Sequence, residues 1–167
     1  MSTHVQTESC WLVRSVAVRV VEIAAFDASS TAGDGLGLPR RPGTVTGTDD
    51  GGSSLYFAPG RWLLVGPSAA FEARIRAAAQ WGSWVEVTGK WVAMTLQGPG
   101  AQRVLASTID VEATLQGREC AAVTLFDCPS ILVRDELGFT VWVHASVASD
   151  WVAAVERLGA ALTVTTG

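Results

Sequence analysis

Apolar and polar residues alternate along several short stretches of the chain, which is the pattern of strands that bury one face. The first stretch is residues 14–23, where Val16, Val18 and Val20 alternate with small and charged residues. Short turns separate most of the stretches, so the pattern predicts mainly antiparallel sheets. The further strands are predicted at residues 55–57, 61–65, 84–87, 91–96, 121–126, 131–134 and 139–144.

Two of the turns between these strands have a marked composition. Pro59-Gly60 separates two strand segments, which form either one strand interrupted by a turn or bulge or a hairpin. Thr88-Gly89-Lys90 joins residues 84–87 to residues 91–96, and glycine tolerates the positive φ that a tight hairpin requires. We therefore expect the strands on either side of Gly89 to form a hairpin.

Helical spacing of apolar residues follows two of the strands. Ser68 is placed to cap the first helix, and Ser146 or Ser149 is placed to cap the second, which Gly159 ends. The order of strand, serine and helix is the same in residues 62–79 and 141–158, which suggests a duplication. The residues predicted to face the sheets are Phe71, Ile75, Ala78 and Ala79 in the first helix and Trp151, Val152, Val155 and Leu158 in the second.

A third helix is predicted directly after the strand at residues 91–96. Gly98 supplies a tight turn, and Pro99 suits the first helical position because its missing N–H would have no partner there. Ala101, Val104 and Leu105 then fall on one side of the helix. This strand, turn and helix should therefore pack as one buried unit.

The chain loses its periodicity between residues 27 and 54, where Gly, Ser, Thr, Asp and Pro dominate. This composition predicts a flexible loop with at most one short ordered piece. Residues 36–39 provide its apolar anchors, and residues 48–54 should be its most disordered part. Residues 108–117 are predicted to be a second connector, with Ile109, Val111 and Leu115 as its apolar anchors.

The length of 167 residues fits one domain, and 49% apolar residues are enough for a core of its own. Within this domain we expect a polar tail at residues 1–12, a first subdomain at 13–80 that contains the flexible loop, and a second subdomain at 81–160. Groups of strands followed by helices predict the α+β class, with helices packed on mainly antiparallel sheets.

Charge and composition argue against several classes of partner. The net charge is −4, and the 12 Lys and Arg residues form no cluster, so nucleic acid is not an expected partner. The chain has no apolar run of membrane-spanning length and no secretory signal, so we expect a cytoplasmic protein.

Cys10, Cys120 and Cys128 are widely spaced and should be buried or half-buried, reduced thiols. With only two His residues, one of them His4 in the polar tail, no metal site is expected.

Several short motifs follow one another in order between residues 36 and 158. The motifs are Leu36-Gly37-Leu38-Pro39, Pro59-Gly60-Arg61-Trp62, Leu96-Gln97-Gly98-Pro99-Gly100-Ala101, Gly117-Arg118-Glu119-Cys120-Ala121 and Phe139-Thr140-Val141-Trp142-Val143, the last followed by Ser146, Ala148 and Trp151. In this order they resemble the γ-subunit family of heterotetrameric sarcosine oxidases. That family is related to the aminomethyltransferase of glycine cleavage, within the folate-binding-domain superfamily.

The resemblance implies a half-size relative of aminomethyltransferase, built from two intertwined α+β subdomains. It implies a structural role for Gly98, Pro99 and Ala101 at the tight turn, and for Trp62 and Trp151 in packing. No residue matches the catalytic Asp of aminomethyltransferases, so the resemblance implies no catalytic residue here. Flavin, NAD, zinc and tetrahydrofolate would then be held by partner subunits and not by this chain.

A few residues are still candidates for chemistry. Trp142 and His144 share one strand face and are candidate walls of a ligand pocket, with His144 able to transfer protons near neutral pH; the alternative is a subunit interface or a half-exposed face. Lys90 is a candidate for imine formation with an aldehyde, or else an exposed turn residue. Arg118 is a candidate carboxylate ligand or a member of a surface ion pair. Trp62 is a further pocket candidate.

Two functions are therefore open. The first is a non-catalytic γ-type subunit of a heterotetrameric sarcosine (secondary amine) oxidase, which supports assembly of a flavin- and folate-dependent N-demethylating complex. The alternative is a stand-alone protein or enzyme that binds folate or an aromatic small molecule in the pocket of the folate-binding domain. The seven Trp residues fit either function, since Trp is frequent in cores and at interfaces.

Overall fold

The computed structural model of the chain describes residues 10–15, 18–26, 36–48, 51–77, 82–136, 138–158 and 162–166. The strands in these ranges are β1 (Cys10–Ser15), β2 (Val20–Ala25), β3 (Val45–Gly47), β4 (Ser53–Ala58), β5 (Arg61–Val65), β6 (Gly82–Glu86), β7 (Trp91–Gln97), β8 (Cys120–Leu125), β9 (Cys128–Asp135), β10 (Gly138–His144) and β11 (Leu162–Thr166). The helices are α1 (Ala69–Ala77), α2 (Ala101–Ala106), α3 (Val111–Leu115) and α4 (Ala148–Leu158), the last preceded by a 3-10 turn at Ala145–Val147.

These strands form two sheets. The large sheet has the order β11-β1-β7-β10-β9-β8, and the small sheet has the order β3-β4-β5-β2-β6. Neighbouring strands are antiparallel except for β1 and β11, which are parallel. The predicted α+β class with mainly antiparallel sheets is therefore confirmed.

Apolar side chains join the elements into four layers. One cluster lies between the sheets, where Val20, Leu55 and Leu63 of the small sheet meet Ile131 and Trp142 of the large sheet. A second cluster lies between the outer face of the large sheet and the helices α2, α3 and α4. A third lies between the outer face of the small sheet and α1. The order is therefore α1, small sheet, large sheet, and then the remaining helices.

Strand β7 is buried on both faces. Trp91 and Ala93 face the small sheet, whereas Met94 and Leu96 face the helices. On its two sides β7 pairs with β1 and β10, so its backbone is enclosed as well. The prediction of a buried strand here is confirmed, because apolar residues at both alternating positions are what a fully enclosed strand requires.

The turn and helix after β7 also follow the prediction. Gly98 has a φ of +90°, which favours glycine, and Ala101 begins α2 with its side chain buried. One detail differs: Gly100 is the N-cap residue, so Pro99 lies in the turn before the helix and not at the first helical position.

The chain crosses between the two sheets twice, which the sequence pattern did not reveal. The predicted strand at residues 14–23 is wrong: β1 lies in the large sheet and β2 in the small sheet. The predicted hairpin around Gly89 is wrong for the same reason, since β6 pairs with β2 and β7 pairs with β1. Local alternation is the same on either side of a crossing, so it does not show that a strand has changed sheets.

The crossings intertwine the two halves of the chain. In the crossing regions, the Val20 N–H donates to the Thr88 hydroxyl at 3.1 Å, and the Val87 N–H donates to the Val20 carbonyl at 2.9 Å. The two sheets therefore do not correspond to the two subdomains expected on either side of residue 80. Strand β1 belongs to the large sheet and β6 to the small one.

Part of the predicted loop and tail is ordered. Strand β3 and the first two residues of β4 lie inside residues 27–54, and Ser54, which was expected in the most disordered part, is fully buried. Backbone pairing between β3 and β4 explains this order, because it does not need apolar side chains. Residue 10, placed in the polar tail, begins β1. Residues 1–9, 27–35 and 49–50 lie outside the described ranges.

The helix ends match the sequence in some places and differ in others. The Ser68 hydroxyl accepts a hydrogen bond from the Phe71 N–H at 3.1 Å, so this cap is confirmed. Ser146 lies in the 3-10 turn and Ser149 lies inside α4, so neither is the predicted cap. Leu158, expected on the buried side of α4, is half-exposed because it ends the helix.

Two further elements were not predicted. Helix α3 occupies part of the connector at residues 108–117, and the Asp110 carboxylate caps it by accepting from the Ala113 N–H at 3.0 Å. Strand β11 pairs in parallel with β1 after a long separation in the chain. Among the described residues, no helix combines the length and hydropathy that a membrane span requires.

Substitution of a leucine in β7 tests its central position. Leu96 is fully buried, so Leu96→Ala should lower the free energy of unfolding by about 2–5 kcal/mol through lost contacts and a cavity. Leu158→Ala is the matched control at a half-exposed site and should cost less than about 1 kcal/mol. Urea denaturation measures both values. Equal losses for the two variants would contradict the placement of β7.

Candidate functional site

A buried carboxylate lies between the two sheets. Glu22 is on the face of β2 that points toward the large sheet, directly opposite Leu63 of the inter-sheet cluster, and its residue is only 8% exposed. A carboxylate at such a position is costly unless cations or hydrogen-bond donors compensate for the lost water. We therefore take Glu22 and the residues around it as the candidate functional site.

Two cations compensate the charge of Glu22. Arg61, the first residue of β5, donates from its guanidinium to Oε1, and Lys90, in the crossing turn before β7, donates from Nζ to Oε2 at 3.0 Å. Both cationic side chains are about half-exposed. The three residues together carry a charge of +1, and we call them, with Trp91 and His144, the Glu22 cluster.

Aromatic rings surround the cations. The Lys90 Nζ lies 5.5 Å from the ring centroid of Trp91, and the Arg61 guanidinium carbon lies 5.7 Å from that of Phe57. Trp91 meets the imidazole of His144 edge to face, with centroids 4.3 Å apart and an interplanar angle of 88°. Each cation therefore has one aromatic neighbour in addition to the Glu22 carboxylate.

The environment of Glu22 lowers its pKa. Burial by itself raises the pKa, but the hydrogen bonds and charges of Lys90 and Arg61 outweigh burial and bring it below its ordinary value of 4.5. Glu22 is therefore ionised at neutral pH and holds the two cations. Lys90 accordingly has the geometry of an ion-pair partner, whereas an imine-forming lysine needs a free amine in an apolar pocket.

The structure places the predicted pocket residues in different layers. Trp62 lies under α1, stacked on Tyr56 with centroids 4.4 Å apart, and its indole N–H donates to the Pro39 carbonyl at 2.9 Å. Trp142 lies between the sheets, and His144 follows it on the same face of β10. Trp151, predicted to pack, is fully buried under the large sheet.

Arg118 lies far from His144. Cys120 and Thr140 are level in the large sheet, because both are opposite Val133. Arg118 precedes that level by two residues and His144 follows it by four, so about 20 Å of strand separates them. The predicted pocket residues therefore do not converge on one cavity.

The surroundings of Arg118 show what its side chain does. Its aliphatic carbons pack so closely over Gly43 that a Cβ there would lie 2.7–2.8 Å from them. No described residue forms an ion pair with Arg118, so the expected surface ion pair is not seen among them. The neighbouring Glu119 carboxylate accepts from the Val45 N–H at 2.7 Å and ties β3 to the large sheet.

The three thiols are buried and unpaired, as predicted. Burial, together with the charge of Glu119, raises the pKa of Cys120 to about 12, and burial raises the pKa of Cys10 and Cys128 as well. These groups are therefore poor nucleophiles at neutral pH. No group of His, Cys, Asp and Glu within the described ranges is arranged to hold a metal ion.

Glu22 and Arg61 were not singled out from the sequence as functional residues. One signal was present: Glu22 is the single charged residue in the apolar run Val20-Val21-Glu22-Ile23. A charge inside an apolar strand requires a partner when both faces are covered. Its partners come from β5 and from the turn before β7, and their proximity depends on the crossing of the chain.

The layers of helices and antiparallel sheets define an α+β fold shared with two solved enzymes. A chain of the heterotetrameric sarcosine oxidase from Corynebacterium sp. U-96, solved with pyrrole 2-carboxylate, is 21% identical, with a TM-score of 0.72 over 87% of this chain and 81% of that chain. The glycine cleavage system aminomethyltransferase T from Bartonella henselae is 17% identical, with a TM-score of 0.66 over 95% of this chain and 48% of that chain. No protein-family model matches the chain, and no curated protein matches its sequence.

Neutralising Glu22 should destabilise the protein. Glu22→Gln leaves Arg61 and Lys90 without their counter-ion and should lower the free energy of unfolding at pH 7 by about 1–3 kcal/mol. Because the folded-state pKa is lowered, the stabilisation is complete above pH 4.5 and is lost as the pH falls through the folded-state value. The stability curves of the two proteins should therefore converge in acid.

Denaturant unfolding from neutral to acid pH measures this convergence. Glu112→Gln is the matched control, because Glu112 pairs with Arg134 at 2.7 Å but is exposed, and it should cost less than about 1 kcal/mol. A constant difference between Glu22→Gln and the unaltered protein at every pH would contradict an ionised Glu22.

Proposed function

We propose that the chain is a non-catalytic, γ-type subunit of a sarcosine (secondary amine) oxidase complex. One observation carries the proposal: the match to the oxidase chain spans most of both chains, whereas the match to the aminomethyltransferase spans about half of that enzyme. The fold of the chain therefore corresponds to most of one oxidase chain. In this role it supports assembly of a flavin- and folate-dependent N-demethylating complex in the cytoplasm.

The contacts of the polar candidates support a structural role. Lys90 and Arg61 bind Glu22, and the His144 imidazole packs against Trp91. Each of these contacts joins elements of the protein to one another and needs no ligand. A catalytic acid or base would instead have to reach a bound substrate within hydrogen-bond distance.

The alternative function needs a pocket for folate or another aromatic ligand. Trp62, Trp142 and Arg118 would have to line that pocket together, but they lie in separate layers or at opposite ends of a sheet. These residues do not fit a folate site as a group. Under our proposal flavin, NAD and tetrahydrofolate are therefore held by partner subunits.

Exposed apolar side chains offer surface for such partners. Val18 and Phe26 lie at the two ends of β2, and Val85 lies on β6, at the edge of the small sheet; Phe26 is 77% exposed. Val18 and Phe26 are separated by the length of β2, so each would contribute a separate apolar contact to an interface. The proposed partners are the other subunits of a heteromeric amine oxidase.

Co-purification tests the proposal. The tagged chain, expressed in its own cells with its genomic neighbours, should elute as a complex larger than itself that shows flavin absorbance and sarcosine demethylation. An unrelated tagged protein of similar size is the control. A chain that elutes alone while an amine oxidase is present in the same extract would overturn the proposal.

Titration of the isolated chain tests the alternative function, a stand-alone protein that binds folate. Because Trp62 and Trp142 are buried in packed layers, tryptophan fluorescence should stay constant when tetrahydrofolate is added. Saturable quenching would favour the stand-alone binding protein. Dialysis with the same ligand checks the result without relying on fluorescence.

The role of His144 is tested in the reconstituted complex. His144→Ala should change kcat by less than about twofold, whereas loss of a general acid or base costs about 10²–10⁴-fold. The variant should also lower the thermal midpoint slightly, because the contact with Trp91 is lost. A large fall in kcat with an unchanged amount of assembled complex would contradict a non-catalytic subunit.

A further inference from the structure

A groove of about 580 Å³ opens between α4, the end of α2 and the turn between β8 and β9. Its lining residues are Thr108, Thr124, Phe126, Asp127, Ala154 and Arg157. None of them belongs to the Glu22 cluster, and none takes part in the role proposed above. The volume lies in the range of small-molecule sites.

The groove carries two opposite charges, and both of these residues are exposed. Asp127 lies in the β8–β9 turn and Arg157 lies in the last turn of α4. Among the described residues, neither forms an ion pair with the other or with a third group. The Arg157 Nε donates to the Ala153 carbonyl at 3.1 Å, which orients the guanidinium and leaves its terminal nitrogens for a ligand.

The apolar part of the groove is anchored to the core. The ring of Phe126 meets Trp151 edge to face with centroids 5.7 Å apart, and Trp151 is fully buried. Phe126 and Asp127 have φ values of 50° and 62°, a left-handed conformation that is unusual for a bulky residue such as phenylalanine. Packing on Trp151 compensates for this conformation and holds the turn beside the groove.

We propose that the groove binds a free amino acid in its zwitterionic form. The carboxylate of the ligand pairs with Arg157, its ammonium pairs with Asp127, and an aromatic or apolar side chain lies against Phe126. The Thr124 hydroxyl is a further donor or acceptor at the same groove. A ligand with both charges satisfies both protein groups, whereas a ligand with one charge leaves the other group without a partner. This site is independent of the proposed subunit role.

Titration of the isotope-labelled full chain with L-phenylalanine, followed by amide NMR spectra, tests the site. The shifts should saturate at millimolar ligand, as expected for a small ligand in an open groove, and should map to residues 124–127 and 153–157. Two matched probes each lack one charge: phenylacetate has no ammonium and phenethylamine has no carboxylate. Each should bind at least about tenfold more weakly than phenylalanine.

Variants assign each charge to its group. Arg157→Gln should weaken phenylalanine binding at least about tenfold and leave phenethylamine binding unchanged. Asp127→Asn should weaken phenylalanine binding but not phenylacetate binding, and asparagine tolerates the left-handed turn. Arg103→Gln changes an exposed arginine of α2 that does not line the groove, and it should have no effect.

Several results would overturn the site. These are the absence of saturable shifts, shifts that map outside the groove, and equal affinities for the three probes, which would indicate apolar contact only. The same spectra show whether each variant is folded. Should Arg157→Gln fail to fold, Arg157→Lys keeps the charge but loses the bidentate geometry, and it should bind phenylalanine with intermediate affinity.

Discussion

The pairing of two chain segments across both sheets is the constraint on which the rest of the structure depends. One segment carries β1 and β2, the other carries β6 and β7, and they pair antiparallel in the large sheet and again in the small sheet. Neither sheet can therefore complete its backbone hydrogen bonds without a strand from the other half of the chain. This exchange brings the sheets face to face and encloses β7 between two apolar layers.

The same arrangement explains the location of the polar cluster. Closure of the sheets buries Glu22, and a buried carboxylate needs cations that come from elsewhere in the chain. The turn that carries the chain from β6 to β7 supplies Lys90, and the first residue of β5 supplies Arg61. The ion pair of Glu22 with Lys90 thus joins the two halves of the chain. Asp127 and Arg157 beside α4 have no ion-pair partner within the described ranges, and the amino acid proposed above would provide one.

Local sequence patterns were sufficient to predict the elements that do not depend on which strand lies beside them. Residue type and spacing alone predicted β5, the turn at Pro59-Gly60 with the bulge beside it, and the cap at Ser68. Motif order between residues 36 and 158 also indicated the fold that the solved structures show. The candidate site was harder to predict from the sequence. Trp62, Trp142 and Arg118 are chemically suited to a pocket, but the packing of the layers separates them.

The sequence by itself determined the α+β class, most strands and helices, and the buried strand with its Gly98-Pro99 turn, since each depends on the conformational preferences and periodicity of neighbouring residues. Only the tertiary structure decided which sheet each strand joins, that β11 pairs with β1, and that Lys90 and Arg61 meet Glu22. The physical reason is that strand pairing and ion pairing depend on backbone and charged groups common to many segments. Which of those segments meet is settled by the packing of the whole chain and not by any local pattern.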